Sequence, residues 1–313
     1  MKVVFLDIVH SILEERLLAQ GYTCVDATLL SKEECINVIS DADGIVIRSR
    51  FKMDETFLSN SPSLKFIARS GAGMENIDID YCENRKIRLF NAPEGNRNAV
   101  AEHALGMLLS LFNKIPSADA EVRKGKLDRE GNRGIELDGK TVGIIGFGNN
   151  GQAFAKKLRG FDVQVLAYDK YKSGFGNEFV NESTLIDLFT LCDVISFHIP
   201  QNEETIYFAN ELFFAQFQKS IYLINLARGK VVKTAALVDA MKTNKVLGAC
   251  LDVLEYEKSS FESFFEQELS PDFKYLLDSK NVILSPHVGG WTHESYFKLS
   301  NVLADKILNQ FTG

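Results

Sequence analysis

The hydrophobic positions of this chain alternate between short unbroken apolar runs and longer stretches with helical spacing. Short apolar runs are typical of strands that are buried on both faces of a parallel sheet. In the first third of the chain they predict strands at residues 3–6, 44–47, 65–68 and 88–90. Helical spacing predicts helices between them at 12–19 and 32–39. This alternation indicates a doubly wound parallel sheet.

The same pattern starts again after Asn98. A long helix with an apolar stripe is predicted around residues 101–112, and a polar stretch follows it at 118–138. Further apolar runs predict strands at residues 142–145, 163–168, 194–197, 222–225, 249–253 and 282–284. The last helix, 292–311, has no strand after it, so we expect it to pack back on the first sheet.

Three glycines follow the predicted strand 142–145 at a spacing with a known physical purpose. Gly146, Gly148 and Gly151 form G-x-G-x-x-G between a strand and a helix. The first glycine permits a tight turn, the second lets the backbone approach a pyrophosphate, and the third lets helix and strand pack closely. The N-terminus of the following helix offers free N–H groups to an anion. The segment therefore predicts a dinucleotide site, which also includes Asn149 and Asn150.

An acidic residue after the next strand indicates which dinucleotide binds. Asp169 lies about where an acceptor for the ribose 2′-OH is expected, and its carboxylate would repel a 2′-phosphate. We therefore predict NAD rather than NADP as the cofactor. Lys170 and Lys172 weaken that preference slightly, because either ammonium group could swing toward a phosphate.

The position of this fingerprint in mid-chain predicts the domain organisation. We expect an α/β protein with two Rossmann-like doubly wound parallel-sheet domains, the nucleotide domain being inserted into the substrate domain. The NAD-binding domain is predicted to span residues 98–290. The substrate-binding (catalytic) domain is predicted to comprise residues 1–97 plus 291–313.

Composition narrows the class of protein. The chain has 313 residues, of which 45% are hydrophobic and 25% charged, as in an ordinary globular enzyme. Its net charge of −7 gives no electrostatic footprint for nucleic acid. No run is long and apolar enough to span a bilayer, and Asp7 comes too early for a signal peptide, so we expect no membrane association and a cytoplasmic location. The five cysteines are odd in number and widely separated, which favours neither disulfides nor a metal site.

Polar clusters at the ends of the predicted strands resemble those of one enzyme family. Their order and spacing are similar to those of the D-isomer-specific 2-hydroxyacid dehydrogenases over nearly the whole chain. The segments that carry the resemblance are ARSGAGMENID at 68–78, SFHIP at 196–200, INLARG at 224–229, LDV at 251–253 and SPHVGG at 285–290.

The resemblance implies a catalytic set of an arginine, a glutamate and a histidine. By the family's motifs these are Arg228, Glu257 and His287. The chain departs from the family at Lys258, where proline usually follows the acid, and at Asn150, where an apolar residue is usual. Lys258 leaves Glu255 as an alternative for the acid.

The proposed chemistry explains why these residue types are needed. Oxidation of a secondary alcohol requires a base for the hydroxyl proton, and a histidine such as His287 suits that role near neutral pH. A carboxylate partner such as Glu257 orients the imidazole ring and favours its protonated form. Arg228 would hold the substrate carboxylate and polarise the carbonyl. The nicotinamide itself carries the hydride.

The resemblance also implies further cofactor contacts. Asp252 is expected to hold the nicotinamide end, and the segment from His198 to Pro200 is expected to line the cofactor cleft. Ala227 and Gly289, beside the catalytic residues, complete the predicted cofactor site. Read without the family, His198 is equally well a packed loop residue.

Residues at the ends of first-domain strands indicate the substrate. The turn from Ser70 through Ala72 to Gly73 can form a backbone nest for a carboxylate. Arg48 and Arg69 suggest a second anion on the substrate, an arrangement similar to that of 3-phosphoglycerate dehydrogenases. The alternative is that both arginines pair with local acids, Asp54 or Asp78. Enzymes of that type often carry a C-terminal regulatory domain, and we expect this chain, which ends at Gly313, to be a short form without one.

The sequence therefore predicts NAD-dependent interconversion of a D-2-hydroxy acid and its 2-oxo acid, with 3-phosphoglycerate as the favoured substrate. A glyoxylate or hydroxypyruvate reductase is the alternative enzyme. A non-catalytic NAD-sensing protein, like the corepressors of this superfamily, is the alternative from another class. By resemblance we also expect a homodimer formed through the nucleotide domains, with the helix at 98–114 apolar enough to form the contact.

Overall fold

The computed structural model describes residues 1–257 and 269–311, and it divides the chain into two compact units. The first unit contains Met1–Arg97 and residues 291–311, and the second contains Asn98–Glu257 and residues 269–290. Each unit is built on its own parallel sheet.

The first unit begins with five strands and the helices between them. These elements are β1 (Lys2–Phe5), α1 (Ile12–Ala19), β2 (Thr23–Asp26), α2 (Lys32–Ile39), β3 (Gly44–Ile47), α3 (Glu55–Leu58), β4 (Phe66–Arg69), α4 (Ile79–Asn84) and β5 (Arg88–Phe90). The strands pair in the order β2-β1-β3-β4-β5, and every pair is parallel.

The second unit contains seven strands. Its elements are α5 (Pro93–Phe112, which starts in the first unit), α6 (Ile115–Arg123), β6 (Thr141–Ile145), α7 (Asn149–Lys157), β7 (Gln164–Tyr168), β8 (Val180–Glu182), α8 (Leu185–Leu191), β9 (Val194–Phe197), α9 (Glu211–Ala215), β10 (Ile221–Asn225), α10 (Thr234–Lys242), β11 (Val246–Leu251), α11 (Pro271–Asp278) and β12 (Val282–Leu284). The parallel sheet has the order β12-β11-β10-β9-β6-β7-β8. Helix α12 (His293–Phe311) then returns to the first unit.

Both sheets are covered on both faces, because each strand sends alternate side chains to opposite sides. In the first unit, Leu13 and Leu17 of α1 share one core with Leu303 and Ile307 of α12. Helices α2, α3 and α4 enclose the core on the other face. The predicted packing of the last helix on the first sheet is therefore confirmed.

The second sheet is enclosed in the same way. Its first core includes residues of α8, α9, α10 and α11, and its second core includes residues of α5 and α7. Strand β10 contributes Leu223 to the first core and Ile224 to the second. The prediction of two doubly wound parallel sheets is confirmed.

Two strands were not predicted from the apolar pattern. Strand β2 pairs with β1 and strand β8 pairs with β7, each at the edge of its sheet. The side chains of β2 are half-buried or exposed, and β8 buries only Val180, so neither strand has the unbroken apolar run of a central strand.

Two further structural findings bear on function. Within the described residues, no helix is both long and apolar enough to cross a membrane. The same part of the chain contains no group of three or more His, Cys, Asp or Glu side chains placed to hold a metal ion.

Candidate active site

The glycine-rich loop between β6 and α7 has one glycine that the protein does not need for its own packing. Gly146 has φ +94°, and a Cβ at Gly151 would lie 2.1 Å from the carbonyl oxygen of Gly146. Both positions therefore require glycine for local geometry. A Cβ at Gly148, by contrast, would meet no protein atom within 4 Å. The open space at Gly148 is what a close-lying ligand needs.

The N-terminus of α7 is suited to an anion. Its N-cap is Gly148, which supplies no side-chain capping bond, and the N–H groups of a helix N-terminus favour a bound anion. Near it, the buried Oδ1 atom of Asn150 has no hydrogen-bond partner among the described residues. These observations fit a pyrophosphate bound at the loop, as the fingerprint predicts.

Asp169 lies at the end of β7, and its carboxylate organises the same loop. Oδ2 accepts a hydrogen bond from the amide of Phe147 at 2.8 Å, and Oδ1 accepts from the amide of Tyr171 at 2.9 Å. The lysines considered as rivals have their own contacts. Lys170 pairs with Glu204 at 2.8 Å, and Nζ of Lys172 donates to the carbonyl oxygen of Phe147 at 3.3 Å.

His198 follows β9 and packs beside the glycine loop. A Cβ at Gly146 would lie 2.7 Å from the carbonyl oxygen of His198, so the two loops are in contact. The imidazole contacts Ser196 Oγ through Nε2 at 2.8 Å and packs on the ring of Phe154. Burial lowers the pKa of His198 to about 3. The ring is therefore neutral at physiological pH. Two residues later, the carbonyl oxygen of Pro200 accepts a hydrogen bond from the hydroxyl of Thr205.

The loop after β10 fixes the backbone that carries Arg228. The Asn225 side chain accepts from the amide of Ala227 at 3.1 Å and donates to the carbonyl oxygen of Arg228 at 3.0 Å. Nη1 of Arg228 donates to the carbonyl oxygen of Ala227 at 2.7 Å. A Cβ at Gly229 would lie 1.9 Å from the carbonyl oxygen of Leu254, so the segment after β11 lies directly against this loop.

The structure brings His287 and Glu257 together. The Nδ1 atom of His287 lies 2.9 Å from Oε2 of Glu257, and the other carboxylate oxygen of Glu257 accepts from the amide of Leu254. Glu255 has a different neighbour, because its Oε2 accepts from the amide of Thr234 at 2.7 Å. Of the two acids considered, Glu257 is therefore the one seen in contact with the imidazole of His287. Lys258 lies outside the described residues.

Asp252 shapes the loop that carries His287. It is buried, and its carboxylate accepts from Ser285 Oγ at 2.6 Å and from the amides of Val288 and Gly289 at 2.9 and 2.8 Å. Its carbonyl oxygen accepts from the amide of His287, which has φ +54°. Because a left-handed backbone is unfavourable for histidine, Asp252 helps to hold a strained conformation.

His103 joins this network. Ser285 Oγ gives its proton to Asp252, so it accepts from His103 Nε2 at 2.9 Å. His103 lies on α5, about 150 residues from Asp252 along the chain. No local motif identifies such a partner, because the contact depends on how α5 packs.

In the first unit, Asp7 positions the loop that carries Arg48. Its Oδ2 accepts from the amides of Arg48, Ser49 and Arg50 at 3.0–3.1 Å. The guanidinium of Arg48 makes one long hydrogen bond, to the carbonyl oxygen of Ile8 at 3.4 Å, and forms no ion pair within residues 1–257 and 269–311. Asp7 was not singled out from the sequence, although it follows β1 as Arg48 follows β3.

The turn after β4 presents Arg69 and two free amides. A Cβ at Gly71 would lie 1.5 Å from Nη1 of Arg69, so the guanidinium rests on the bare backbone of the turn. Ser70 is buried, and Asn91 donates to the carbonyl oxygen of Ala72 at 2.7 Å. In the part of the chain that the structure describes, the amides of Ala72 and Gly73 donate to no acceptor.

The acids considered as alternative partners for these arginines have other contacts. Asp54 caps α3 through the amide of Phe57 and pairs with Lys32 at 3.1 Å. Asp78 caps α4 through the amide of Tyr81. Within residues 1–257 and 269–311, neither carboxylate forms an ion pair with Arg48.

Comparison with family models identifies the second unit. Residues 105–289 match the model described as "D-isomer specific 2-hydroxyacid dehydrogenase, NAD binding domain". The matched stretch contains the glycine-rich loop, Arg228, Glu257 and His287.

Individual proteins extend the similarity to nearly the whole chain. A D-3-phosphoglycerate dehydrogenase of Archaeoglobus fulgidus is 38% identical over 289 residues, covering 91% of this chain and 53% of that protein. The chain thus spans about half the length of the curated D-3-phosphoglycerate dehydrogenases it matches. A hydroxypyruvate reductase of Thermotoga maritima is 33% identical, covering 90% of this chain and 89% of that protein. The structure of D-2-hydroxyisocaproate dehydrogenase matches with a TM-score of 0.85 and 28% identity, covering 100% of this chain and 97% of that one.

Proposed function

The chain belongs to the D-isomer specific 2-hydroxyacid dehydrogenase family, and from this premise we propose that it transfers a hydride between NAD and a small anionic 2-hydroxy acid. The motifs had predicted that family, and the comparisons confirm it. The observation that carries the proposed activity is the 2.9 Å contact between His287 Nδ1 and Glu257, because the carboxylate orients the imidazole ring as a general acid or base requires.

Three side chains divide the work at the substrate. His287 takes the hydroxyl proton of the alcohol on Nε2, or returns it to the oxygen of the 2-oxo acid in the opposite direction. Glu257 keeps the proton on Nδ1 and balances the charge of the imidazolium. Arg228 binds the substrate carboxylate and polarises the reacting carbonyl. NAD, when bound, supplies the hydride acceptor.

The cofactor is held by the groups around the glycine-rich loop. We assign the pyrophosphate to the loop at Gly146, Gly148 and Gly151 and to the N-terminus of α7. Asp169 would accept from the ribose 2′-OH, which favours NAD over NADP. The engagement of Lys170 by Glu204 removes one cation that a 2′-phosphate would need. Equal use of both cofactors by the unmodified protein would contradict this assignment.

The remaining predicted cofactor contacts come from other loops of the second unit. We assign the nicotinamide end to Asp252, whose buried carboxylate also holds the amides of Val288 and Gly289. His198 and Pro200 would line the cleft from the end of β9, where the neutral imidazole adds no charge. Ala227 would contribute its backbone beside Arg228.

We propose 3-phosphoglycerate as the substrate, with oxidation to 3-phosphohydroxypyruvate. Arg48 has no acidic partner among the described residues, and Arg69 lies on the turn whose Ala72 and Gly73 amides are free. A carboxylate suits the backbone nest, and a phosphate suits the guanidinium groups. The D-3-phosphoglycerate dehydrogenases among the relatives support this choice.

A hydroxypyruvate reductase is the second candidate, because the Thermotoga maritima relative of that name matches this chain over nearly its full length. Hydroxypyruvate has the same carboxylate and carbonyl but lacks the phosphate. The two substrates therefore differ in the phosphate group proposed to bind Arg48 and Arg69. The groups that Arg228 and His287 would contact are the same in both.

Kinetics of arginine variants separate the two candidates. Arg48→Ala or Arg69→Ala should raise the KM for 3-phosphoglycerate strongly, because a charge-assisted hydrogen bond contributes about 1.5–3 kcal/mol. The KM for hydroxypyruvate should change little. If both variants leave the two KM values unchanged and the wild type prefers hydroxypyruvate, the phosphoglycerate assignment is wrong and the reductase assignment stands.

We also propose a homodimer formed through the second unit. The apolar stripe of α5, expected to form the contact, instead lies in the core of that unit, with Ala101, Leu108 and Phe112 buried. Helix α6 buries no residue, and Val122 and Leu127 nearby are 56% and 82% exposed. Replacement of both by aspartate should yield a monomer in sedimentation velocity. The five free cysteines fit the cytoplasmic location that we infer.

A further inference from the structure

Arg48 has an aromatic partner that no motif predicts. Its guanidinium carbon lies 4.2 Å from the centre of the Trp291 ring, within the range of a cation–π contact. Trp291 comes directly after the Gly289-Gly290 pair of the His287 loop, and both stacked residues belong to the first unit.

The contact with Trp291 restricts the position of the Arg48 guanidinium. A guanidinium that lies flat on a ring still has its N–H groups pointing outward in its own plane, and that plane matches the two oxygens of a carboxylate or phosphate. Among the described residues, Arg48 uses one of its five N–H donors, in the 3.4 Å contact with the carbonyl oxygen of Ile8. The carboxylate of Asp7 holds the backbone that carries Arg48, because it accepts hydrogen bonds from the amides of residues 48–50.

The exposure of the tryptophan argues against a purely structural role. Trp291 is 65% exposed, so the ring contributes little to the core of the first unit. The ring holds an arginine that has no ion-pair partner in the part of the chain that the structure describes. A large aromatic side chain at the surface beside such an arginine is an arrangement suited to recognition of an anion.

We propose that Trp291 is a specificity-determining residue, which holds the Arg48 guanidinium in the plane needed for bidentate binding of a second anionic group on the 2-hydroxy acid substrate. The inference rests on the proposed function. It assigns Trp291 to the selection of phosphorylated or dicarboxylic 2-hydroxy acids over small ones, and gives it no part in the proton or hydride transfer.

The chain provides its own reporter for this proposal. Trp291 is the only tryptophan in the 313 residues, so intrinsic tryptophan fluorescence reports this stack alone. Titration with 3-phosphoglycerate should change the emission of the wild type in a saturable way. In Arg48→Lys, which keeps the charge but loses the planar fork, the titration midpoint should rise roughly tenfold. Unchanged wild-type emission throughout the titration would overturn the proposal.

Steady-state kinetics give the second readout. Trp291→Leu should raise the KM for 3-phosphoglycerate roughly threefold to tenfold, in proportion to a cation–π contact, with kcat within about twofold of the wild type. Trp291→Phe should recover most of the loss, because the phenyl ring still stacks. The KM for glyoxylate and the dissociation constant of NADH should not change in either variant.

A matched control is available in the second unit. The guanidinium of Arg159 lies 4.3 Å from the ring centre of Phe179, which is also exposed. Phe179→Leu removes a stack of the same kind and should leave the fluorescence titration and the KM values unchanged. A loss in Phe179→Leu equal to that in Trp291→Leu would overturn the proposal, because it would indicate a general effect of removing a surface stack.

The outcomes separate this inference from the proposed function. Turnover of 3-phosphoglycerate with a silent Trp291→Leu variant overturns the role of Trp291 and leaves the dehydrogenase intact. Emission that responds to phosphorylated acids through Arg48, without turnover of any 2-hydroxy acid, supports the anion site and overturns the proposed activity.

Discussion

At the scale of single residues, the proposed proton transfer depends most on His287. If its imidazole carries the substrate proton, His287→Ala should lower kcat by about 10²–10⁴-fold, the usual contribution of a positioned acid or base. NADH binding should remain nearly unchanged, because the proton moves only in the chemical step. Turnover should be followed by NADH absorbance and binding by NADH fluorescence. A variant with wild-type kcat would remove His287 from the mechanism.

The two neighbouring glutamates offer a matched pair. Glu257→Gln should lower kcat roughly tenfold to a hundredfold, because the imidazolium loses its counter-charge while the ring is kept in place. Glu255→Gln should leave kcat unchanged and reduce the free energy of unfolding by about 0.5–2 kcal/mol, because its carboxylate holds the amide of Thr234 at the start of α10. The reverse pattern in kinetics and denaturation would exchange the two roles.

His198 gives the protein a sensitivity to acid. Its folded-state pKa of about 3 lies below the ordinary value of 6.5, so the unfolded chain takes up this proton first as the pH falls. Protonation of His198 therefore has no effect on the free energy of unfolding above pH 6.5, and it lowers that free energy progressively as the pH falls from 6.5 to about 3. At pH 5 the loss is on the order of 1–2 kcal/mol.

Urea denaturation of His198→Asn and wild type at pH 7.5 and pH 5 measures this effect. The variant should lose less stability than the wild type between the two values. Equal losses in the two proteins would show that the imidazole does not titrate differently in the folded state.

The proposed catalytic residues and their hydrogen-bond partners show which site residues can be identified from the sequence. Arg228, Glu257 and His287 lie in short motifs that resemble those of the family, and the resemblance implies their roles. His103, Asp7 and Trp291 act through partners that are 40 or more residues away in sequence, and their roles follow from packing. A hydrogen bond between distant segments leaves no local pattern in the chain.

At the scale of elements, the glycine-rich loop allows function and folding to be separated. Gly148→Ala places its Cβ in open space, so the melting temperature should stay within about 2 °C of the wild type while NADH binding weakens. Gly151→Ala forces a Cβ to within 2.1 Å of a backbone oxygen and should destabilise the fold. Differential scanning fluorimetry and NADH titration together check both variants. Undiminished NADH binding by Gly148→Ala would contradict the placement of the pyrophosphate.

The strands and helices were predictable in proportion to their burial. Helices α1 and α2 have the predicted bounds, 12–19 and 32–39, and the central strands agree to within a few residues. The edge strands β2 and β8 were missed, because partial exposure gives their sequences no apolar run. Helix α5 begins at Pro93, earlier than the apolar stripe indicated, since proline is favoured in the first turn of a helix.

At the scale of the whole molecule, the periodicity of the sequence predicted the number of sheets but did not locate a dimer contact. The restart of the strand–helix pattern after Asn98 predicted two sheets, and the structure has a five-stranded and a seven-stranded parallel sheet. The dimer contact expected on α5 remains a prediction, and several apolar residues of that helix complete the core of the second unit. An apolar stripe by itself does not distinguish a core from an interface.

The central claim is that the chain is an NAD-dependent dehydrogenase selective for a phosphorylated 2-hydroxy acid. The most direct test is kcat/KM of the purified wild type for 3-phosphohydroxypyruvate, hydroxypyruvate and glyoxylate, measured by the loss of NADH absorbance. We predict the highest kcat/KM for 3-phosphohydroxypyruvate, by at least about tenfold, because one charge-assisted contact provides a difference of that size. A higher value for hydroxypyruvate or glyoxylate would contradict the selectivity, and no turnover of any of the three would contradict the activity itself.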